Sequence, residues 1–115
     1  MIKAEFMADR SSGAITMKVT GHAMSAEKGR DLVCAAASAY AYQAAQAAEF
    51  MWEDKELRKK PKMEMESGMA VISVKPKDEH YITALHLFFV VQAGFYVLSQ
   101  NYPQYVELKQ FGTAE

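Results

Sequence analysis

The sequence of 115 residues predicts a single α+β domain, in which a mostly antiparallel sheet carries two helices. Strand-like segments occur in two pairs, a turn sequence joins the members of each pair, and one segment of each pair has alternating apolar and polar residues. A long alanine-rich segment follows the first pair, and a long apolar segment follows the second. The element order is therefore β-β-α-β-β-α, and a last short segment could add a fifth strand. This order predicts helices packed against an antiparallel sheet within one domain spanning residues 1–115.

The first pair of strands is predicted at Ile2–Ala8 and Ala14–Thr20. The second of these strands places an apolar residue at every second position, which is typical of a strand with one buried face. The intervening segment, 9–13, has the composition of a turn. The pair is therefore expected to form a hairpin that delivers His22 just beyond the end of its second strand.

A long helix is predicted from Asp31 to Trp52 because this segment contains nine alanines, which have the highest helix propensity. Asp31 could cap its N-terminus by accepting a hydrogen bond from a free backbone amide. Small side chains also allow another helix or a sheet to approach closely. The alanines are therefore expected to serve packing.

A second hairpin is predicted after a charged connector, Glu53–Lys62. Charged and methionine residues alternate over 62–66, Ser67-Gly68 provides the turn, and Met69–Val74 returns as an apolar strand. The pattern indicates that the two methionines share one face of the sheet.

The second helix is predicted over Asp78–Gln100, and Tyr105–Gln110 could form the short last strand. Its segment Ile82–Leu98 resembles a membrane span, but it is short and contains polar groups that are costly in lipid. We expect instead a helix that is buried centrally or shared with a second subunit, without membrane contact. His86 is expected inside the fold or at a subunit contact.

Composition narrows the functional classes. The formal net charge of −1 provides no general attraction to nucleic acid or anionic lipid. The single cysteine excludes an intrachain disulfide and a multi-thiolate zinc site. The N-terminal residues lack a signal-peptide pattern, so a cytoplasmic location is expected. His80 and His86 are six positions apart, a spacing that does not suit a shared metal on one helix face, and no metal or cofactor is expected.

The single cysteine, Cys34, lies twelve residues after His22, near the predicted start of the alanine-rich helix. A helix N-terminus favours thiolate, its free amides can hold an oxyanion, and an imidazole can accept the thiol proton. Asp31 and Ser38 fall on the same helix face as Cys34, and Asp31 could either orient His22 or cap the helix. A cysteine on such a helix is also often only a small buried apolar residue, and sequence spacing does not decide between these readings.

The motifs Gly21-His22-Ala23 and Gly29–Ser38 are similar to the signature of the Prp family, the ribosomal-processing cysteine proteases. The resemblance extends over the whole chain in length and element order. It implies that His22 is the catalytic histidine and that Cys34 is the nucleophile. The remaining motif residues would line the site: Gly21, Ala23, Gly29, Asp31 and Ser38.

The same resemblance implies a function and a substrate. Members of the family remove a short N-terminal extension from a large-subunit ribosomal protein, which then supports ribosome assembly. The extension ends in paired aromatic residues. A homodimer and a mobile loop over the site are also implied, and in this chain the loop would be Ala23–Arg30.

A non-enzymatic alternative rests on a run of basic residues between Lys55 and Lys62. Such a run could bind ribosomal RNA, and the chain would then be a ribosome-associated binding protein with a structural Cys34. A solvated connector is the more ordinary role of such a run, so direct RNA binding is not expected.

Overall fold

The computed structural model describes residues 1–22 and 28–112, with the backbone alone for residues 28–31. Five strands and two long helices follow one another in the predicted order. They are β1 (Ile2–Asp9), β2 (Ala14–Thr20), α1 (Lys28–Glu53), β3 (Lys62–Glu66), β4 (Met69–Val74), α2 (Tyr81–Asn101) and β5 (Val106–Lys109). A single 3-10 turn, Asp78–His80, precedes α2.

The strands form one sheet in the order β3-β4-β2-β1-β5. The pairs β1–β2, β2–β4 and β3–β4 are antiparallel, and only β5 runs parallel to its neighbour β1. The predicted α+β class, both hairpins and the additional strand are therefore confirmed. Strand β2 lies at the centre of the sheet, whereas β3 and β5 form its edges.

Alternation along the strands places one face of the sheet in the core. Ile15, Met17 and Val19 of β2 are buried, while the residues between them are partly or fully exposed. Both helices contact this sheet, and Phe95 of α2 packs against Phe6 of β1 with ring centroids 6.0 Å apart. Each large apolar side chain buried in this way contributes about 1.5–3 kcal/mol to folding.

The alanines of α1 serve close packing, as expected. Ala37, Ala41, Ala44 and Ala48 are buried along one stripe of the helix. On α2, a Cβ built on Gly94 would lie 2.8 Å from a ring carbon of Tyr40. The absence of a side chain at Gly94 therefore leaves room for the Tyr40 ring between the two helices.

The start of α1 differs from the prediction. The helix begins at Lys28 rather than at Asp31, so the predicted start was wrong. Asp31 lies within the first helical turn and is not the N-cap, which was one of the two roles that the sequence left open. Gly29 disfavours helix by only about 1 kcal/mol, which is too little to prevent the earlier start. Residues 28–30 of the predicted loop are therefore helical, and residues 23–27 lie outside the described part of the chain.

Only one side of α2 is buried, so the prediction of a centrally buried helix holds for that side alone. Phe88, Phe95 and Leu98 face the core, and the side-chain oxygen of buried Gln92 accepts a hydrogen bond of 2.7 Å from the Phe111 backbone N–H. His86 is exposed, which excludes an interior position within this chain. Among the described residues, one helical stretch, Asp78–Asn101, has the length and apolar composition to cross a membrane, and a third of it is buried in the fold.

Candidate active site

His22 is held in place at the end of β2 by backbone contacts. Gly21 has a φ of +93°, and a Cβ there would collide with the Met1 carbonyl oxygen. The Met1 nitrogen donates a hydrogen bond of 2.7 Å to the His22 carbonyl oxygen. The Gly21 N–H donates one of 2.9 Å to the Gly68 carbonyl oxygen. Glycine is required at position 21 because the β1 backbone lies against it.

The His22 ring itself lies against the β3–β4 turn. Gly68 occupies this turn with a φ of +79°, and a Cβ built on it would lie well under 3.0 Å from His22 Nε2. The absence of a side chain at Gly68 therefore leaves the space that the imidazole occupies. Sequence reasoning treated Gly68 only as a turn residue. The missing information was that β4 pairs with β2, which brings this turn to the same end of the sheet as His22.

Cys34 lies in the second turn of α1, not in the first turn as predicted, because the helix begins at Lys28. Its side chain is half-buried, and its neighbour Val33 is fully buried against the core. Side chains on a helix lean toward its N-terminus, so the Cys34 thiol projects over the turn that contains residues 28–31. The backbone amides of that turn have no partners within the helix.

His22 and Cys34 line the same open cavity of about 410 Å³, between the start of α1 and the β3–β4 turn. Gly21 and Ser38 also line it, as the motif implied. Asp31 and Gly29 are described only by their helical backbone, and Ala23 lies outside the described residues. The fold thus brings together a thiol and an imidazole that belong to different secondary-structure elements.

Sequence reasoning did not include the apolar wall of this cavity. Met65 of β3, Met69 of β4 and Tyr42 of α1 line it together with the motif residues. A second open cavity of about 490 Å³ adjoins the first, since Tyr42 and Met65 line both. The two cavities together form a cleft between α1 and β3, which we call the α1–β3 groove. The alternation of methionine and charge in β3 was the only sequence signal for it.

The donor atoms of the site suit nucleophilic chemistry. A thiol can attack a carbonyl, an imidazole can carry the proton, and free amides or a hydroxyl can stabilise negative charge on oxygen. Within the described residues, no group of three or more histidine, cysteine or acidic side chains is placed to hold a metal ion.

The basic run beyond α1 is partly engaged within the fold. Arg58 forms an ion pair with Asp78, and its Nε donates a hydrogen bond of 3.2 Å to the Pro76 carbonyl oxygen. Lys62 Nζ lies 3.4 Å from the Glu64 carboxylate oxygen Oε1. Arg58 therefore connects the segment after α1 to the segment before α2, which is a structural role.

Comparison with known proteins gives a family for this arrangement. A family model described as cysteine protease Prp matches residues 1–107. Among solved structures, SMU.848 from Streptococcus mutans has 26% sequence identity and a TM-score of 0.66, covering 95% of this chain and 92% of that chain.

The fold is also similar to that of an essential ribosomal processing protease, Prp, from Staphylococcus aureus, whose structure contains a substrate peptide. That likeness has a TM-score of 0.67 at 19% identity and covers 96% of this chain and 99% of the other. A search of curated proteins found no match. The family match spans almost the whole chain and includes His22 and Cys34, and the chain therefore belongs to the cysteine protease Prp family.

Proposed function

We propose that this protein is a cysteine endopeptidase that removes a short N-terminal extension from a large-subunit ribosomal protein and so supports ribosome assembly. The observation that carries the proposal is that His22 and Cys34, from different elements, line one solvent-open cavity. The family match supports peptide hydrolysis over the non-enzymatic alternative, in which Cys34 would only be packed.

The reaction uses His22 and Cys34 as a catalytic pair. His22 takes the proton of the Cys34 thiol, and the resulting thiolate attacks the scissile carbonyl carbon. The tetrahedral intermediate collapses to a thioester as His22 returns the proton to the leaving amine. Water, deprotonated by His22, then attacks the thioester, releasing the new carboxyl end of the extension and restoring the thiol.

The surrounding groups stabilise the charged intermediate. The free amides at the start of α1 lie in the turn over which the Cys34 side chain leans, so they are suited to an oxyanion. Ser38 lies one turn further along the same helix and lines the same cavity, where its hydroxyl can contact the substrate. We assign Asp31 to the lining of the site, close to the same helix start.

The lining of the cavity supports an apolar substrate segment. Met65 presents a flexible thioether side chain, which adapts to aromatic rings and contacts them favourably. An extension that ends in paired aromatic residues fits this surface. The related Staphylococcus aureus protein has been crystallised with a substrate peptide, which supports a peptide as the class of substrate.

Cleavage of a synthetic peptide tests the proposal. The peptide carries the extension with Phe-Phe at its end, followed by the first residues of the mature ribosomal protein, and mass spectrometry identifies the products. We expect cleavage at one bond by the native protein and none by Cys34→Ala. His22→Gln should lower kcat/KM by about 10²–10⁴-fold because the general acid–base group is lost. His80→Gln, which alters a histidine outside the cavity, is the matched control and should retain full activity.

Alkylation separates the enzyme from the binding protein. Because Cys34 is the single cysteine, iodoacetamide labels only this position. Fast labelling that abolishes cleavage is expected for the protease. A slow thiol, with no cleavage by native protein, would instead support the ribosome-associated binding protein.

We further propose that the protein is a cytoplasmic homodimer that uses the exposed side of α2. Ile82, Val90 and Val97 expose 60%, 62% and 55% of their area and follow one another at helical spacing. Such an apolar stripe opposite the buried side is suited to a second copy of the helix. The free thiol is consistent with a reducing compartment.

Sedimentation velocity tests the dimer. The native protein should sediment at twice the chain mass, and Val90→Lys should shift it to monomer with unchanged circular dichroism. Gln104→Lys, a substitution at an exposed position outside α2, controls for added charge. A native protein that is monomeric at micromolar concentration would contradict the assignment.

A further inference from the structure

The β3 edge of the sheet lies beside the catalytic cavity, where a peptide substrate must approach Cys34. In the part of the chain that the structure describes, β3 is the terminal strand and pairs only with β4. The α1–β3 groove runs beside this strand from the catalytic cavity. An unpaired strand edge presents backbone N–H and C=O groups that can pair with an added chain.

The backbone orientation of β4 follows from one hydrogen bond. The Gly21 N–H donates to the Gly68 carbonyl oxygen at 2.9 Å, which continues the antiparallel register of β2 with β4. The backbone N–H and C=O groups of successive residues point to alternate edges of a strand, so those of Ala70, like those of Gly68, point toward β2. The backbone groups of Met69, which lies between them, therefore point toward β3.

The orientation of β3 follows in turn. Met69 pairs with Glu66 across the two-residue turn, so Glu66 and, by alternation, Glu64 direct their backbone groups toward β4. Met63 and Met65 consequently direct their N–H and C=O groups outward, to the free edge. The side chains of these two residues line the α1–β3 groove, and they pack partly against the core.

We infer that the substrate binds as an extended strand on the free edge of β3 and places alternate side chains in the α1–β3 groove. This inference rests on the proposed protease function and adds the binding site for the residues beside the scissile bond. The outward backbone groups of Met63 and Met65 supply the hydrogen bonds of this recognition. The methionine side chains and Tyr42 supply the apolar contacts.

The dimensions of the groove match a short extended peptide. At ~1.5 Å per residue, the wall of α1 from Cys34 to Glu49 is about 22 Å long, which corresponds to six or seven residues of extended chain at ~3.3 Å each. A strand lying along β3 and continuing past Glu66 reaches the cavity that contains His22 and Cys34. The added strand therefore leads into the catalytic cavity.

The charge of the groove favours a substrate segment without acidic residues. The described residues that line the two cavities include Glu49 and Glu66, and no lysine or arginine. Apolar or basic side chains are compatible with this lining, whereas an acidic peptide would be repelled.

Backbone N-methylation of the substrate tests strand addition. A set of synthetic peptides carries the extension ending in Phe-Phe, each with one N-methyl group at a successive position beside the scissile bond. The dissociation constant is measured on Cys34→Ala protein and kcat/KM on native protein. We expect about fivefold weaker binding and slower cleavage at every second position, where a hydrogen bond to β3 is lost. The positions between should change by less than about twofold.

Each outcome identifies which proposal fails. Cleavage of the unmodified peptide without alternation would overturn strand addition while leaving the protease in place. Binding with alternation but without cleavage would support strand addition and overturn the proposed reaction. Neither binding nor cleavage would overturn both.

A pair of side-chain variants tests the groove separately. Tyr42 and Phe50 expose 64% and 57% of their area on α1, and only Tyr42 lines the groove. Tyr42→Ala should raise the dissociation constant several-fold through loss of an aromatic contact, and Phe50→Ala should leave it unchanged. Equal effects of the two substitutions, or none from Tyr42→Ala, would contradict occupation of the groove.

Discussion

The two hairpin turns of this protein are built in a similar way, but only one of them belongs to the candidate site. Each contains a glycine in the left-handed region, Gly13 with a φ of +75° and Gly68 with a φ of +79°. A Cβ on Gly13 would meet nothing within 4 Å, whereas a Cβ on Gly68 would collide with the His22 imidazole. The same backbone requirement therefore serves folding alone in one turn, and in the other it also positions a side chain of the proposed catalytic pair.

The contacts of the two turns differ in range along the chain. In the β1–β2 turn, the Asp9 carboxylate accepts hydrogen bonds from the Ser11 backbone N–H and from the hydroxyls of Ser11 and Ser12, and the Gly13 N–H bonds to the Asp9 carbonyl oxygen. The β3–β4 turn instead bonds to Gly21. A substitution in the β1–β2 turn, which is stabilised by its own residues, is therefore expected to act only locally. A substitution in the β3–β4 turn is expected to affect the neighbouring residues Gly21 and His22 as well.

The largest expected effect comes from Gly68→Ala. The added methyl group must displace the His22 ring, and a shift of about 1 Å at a catalytic group can reduce the rate about 10²-fold. We therefore expect kcat/KM for the extension peptide to fall by about 10²-fold, while stability falls by about 1–2 kcal/mol through the left-handed conformation. Steady-state kinetics and urea unfolding measure the two effects.

Gly68→Asn separates backbone strain from the collision with the ring. Asparagine tolerates the left-handed conformation better than alanine, but its Cβ occupies the same place. Stability should partly recover and activity should stay low. Recovery of both would show that strain, and not contact with His22, was the cause.

A smaller effect is expected from Gly13→Ala, the matched substitution in the other turn. It imposes the same type of strain, so we expect a stability loss of about 1–2 kcal/mol by urea unfolding. Activity should stay within about twofold of native, because nothing contacts the added methyl group. An activity loss comparable to that of Gly68→Ala would remove the distinction between the turns.

The smallest effect concerns the charge in the β1–β2 turn. Hydrogen bonds from the Ser11 side chain, then from Ser12, hold the pKa of Asp9 below its ordinary value. The ionised carboxylate therefore favours the folded state at neutral pH, and this contribution is lost as the pH falls through the lowered pKa of Asp9. Relative to Asp9→Asn, native protein should have a slightly higher Tm at pH 7, and the difference should disappear in acid. Identical melting temperatures of the two proteins at all pH values would contradict it.

Much of the fold was predictable because its signals are local. The alternation in Ala14–Thr20 and the Ser67-Gly68 turn identified both hairpins to within about a residue. The start of α1 was less predictable, since Gly29 disfavours helix by its own propensity although the structure places it in the helix. The one-sided burial of α2 was also hidden, because its sequence is apolar nearly all round.

The candidate site also contains residues that the sequence could identify and residues that it could not. His22, Cys34 and Ser38 could be identified from a motif, since their residue types and order are written in the chain. Gly68 and Met65 could not, because their position beside the motif residues depends on which strands become neighbours. The pairing of β4 with β2 is a long-range choice for which no local pattern codes.

By itself, the sequence determined the strands, the helices and the two residues of the proposed catalytic pair. Periodicity shows which side chains of an element share a face, and residue type shows which chemistry each can perform. The tertiary structure alone decided that β3 forms an edge, that the β3–β4 turn supports His22, and that a groove leads along α1 to Cys34. These features depend on contacts between residues far apart in the chain, whose energies appear only when the elements pack together.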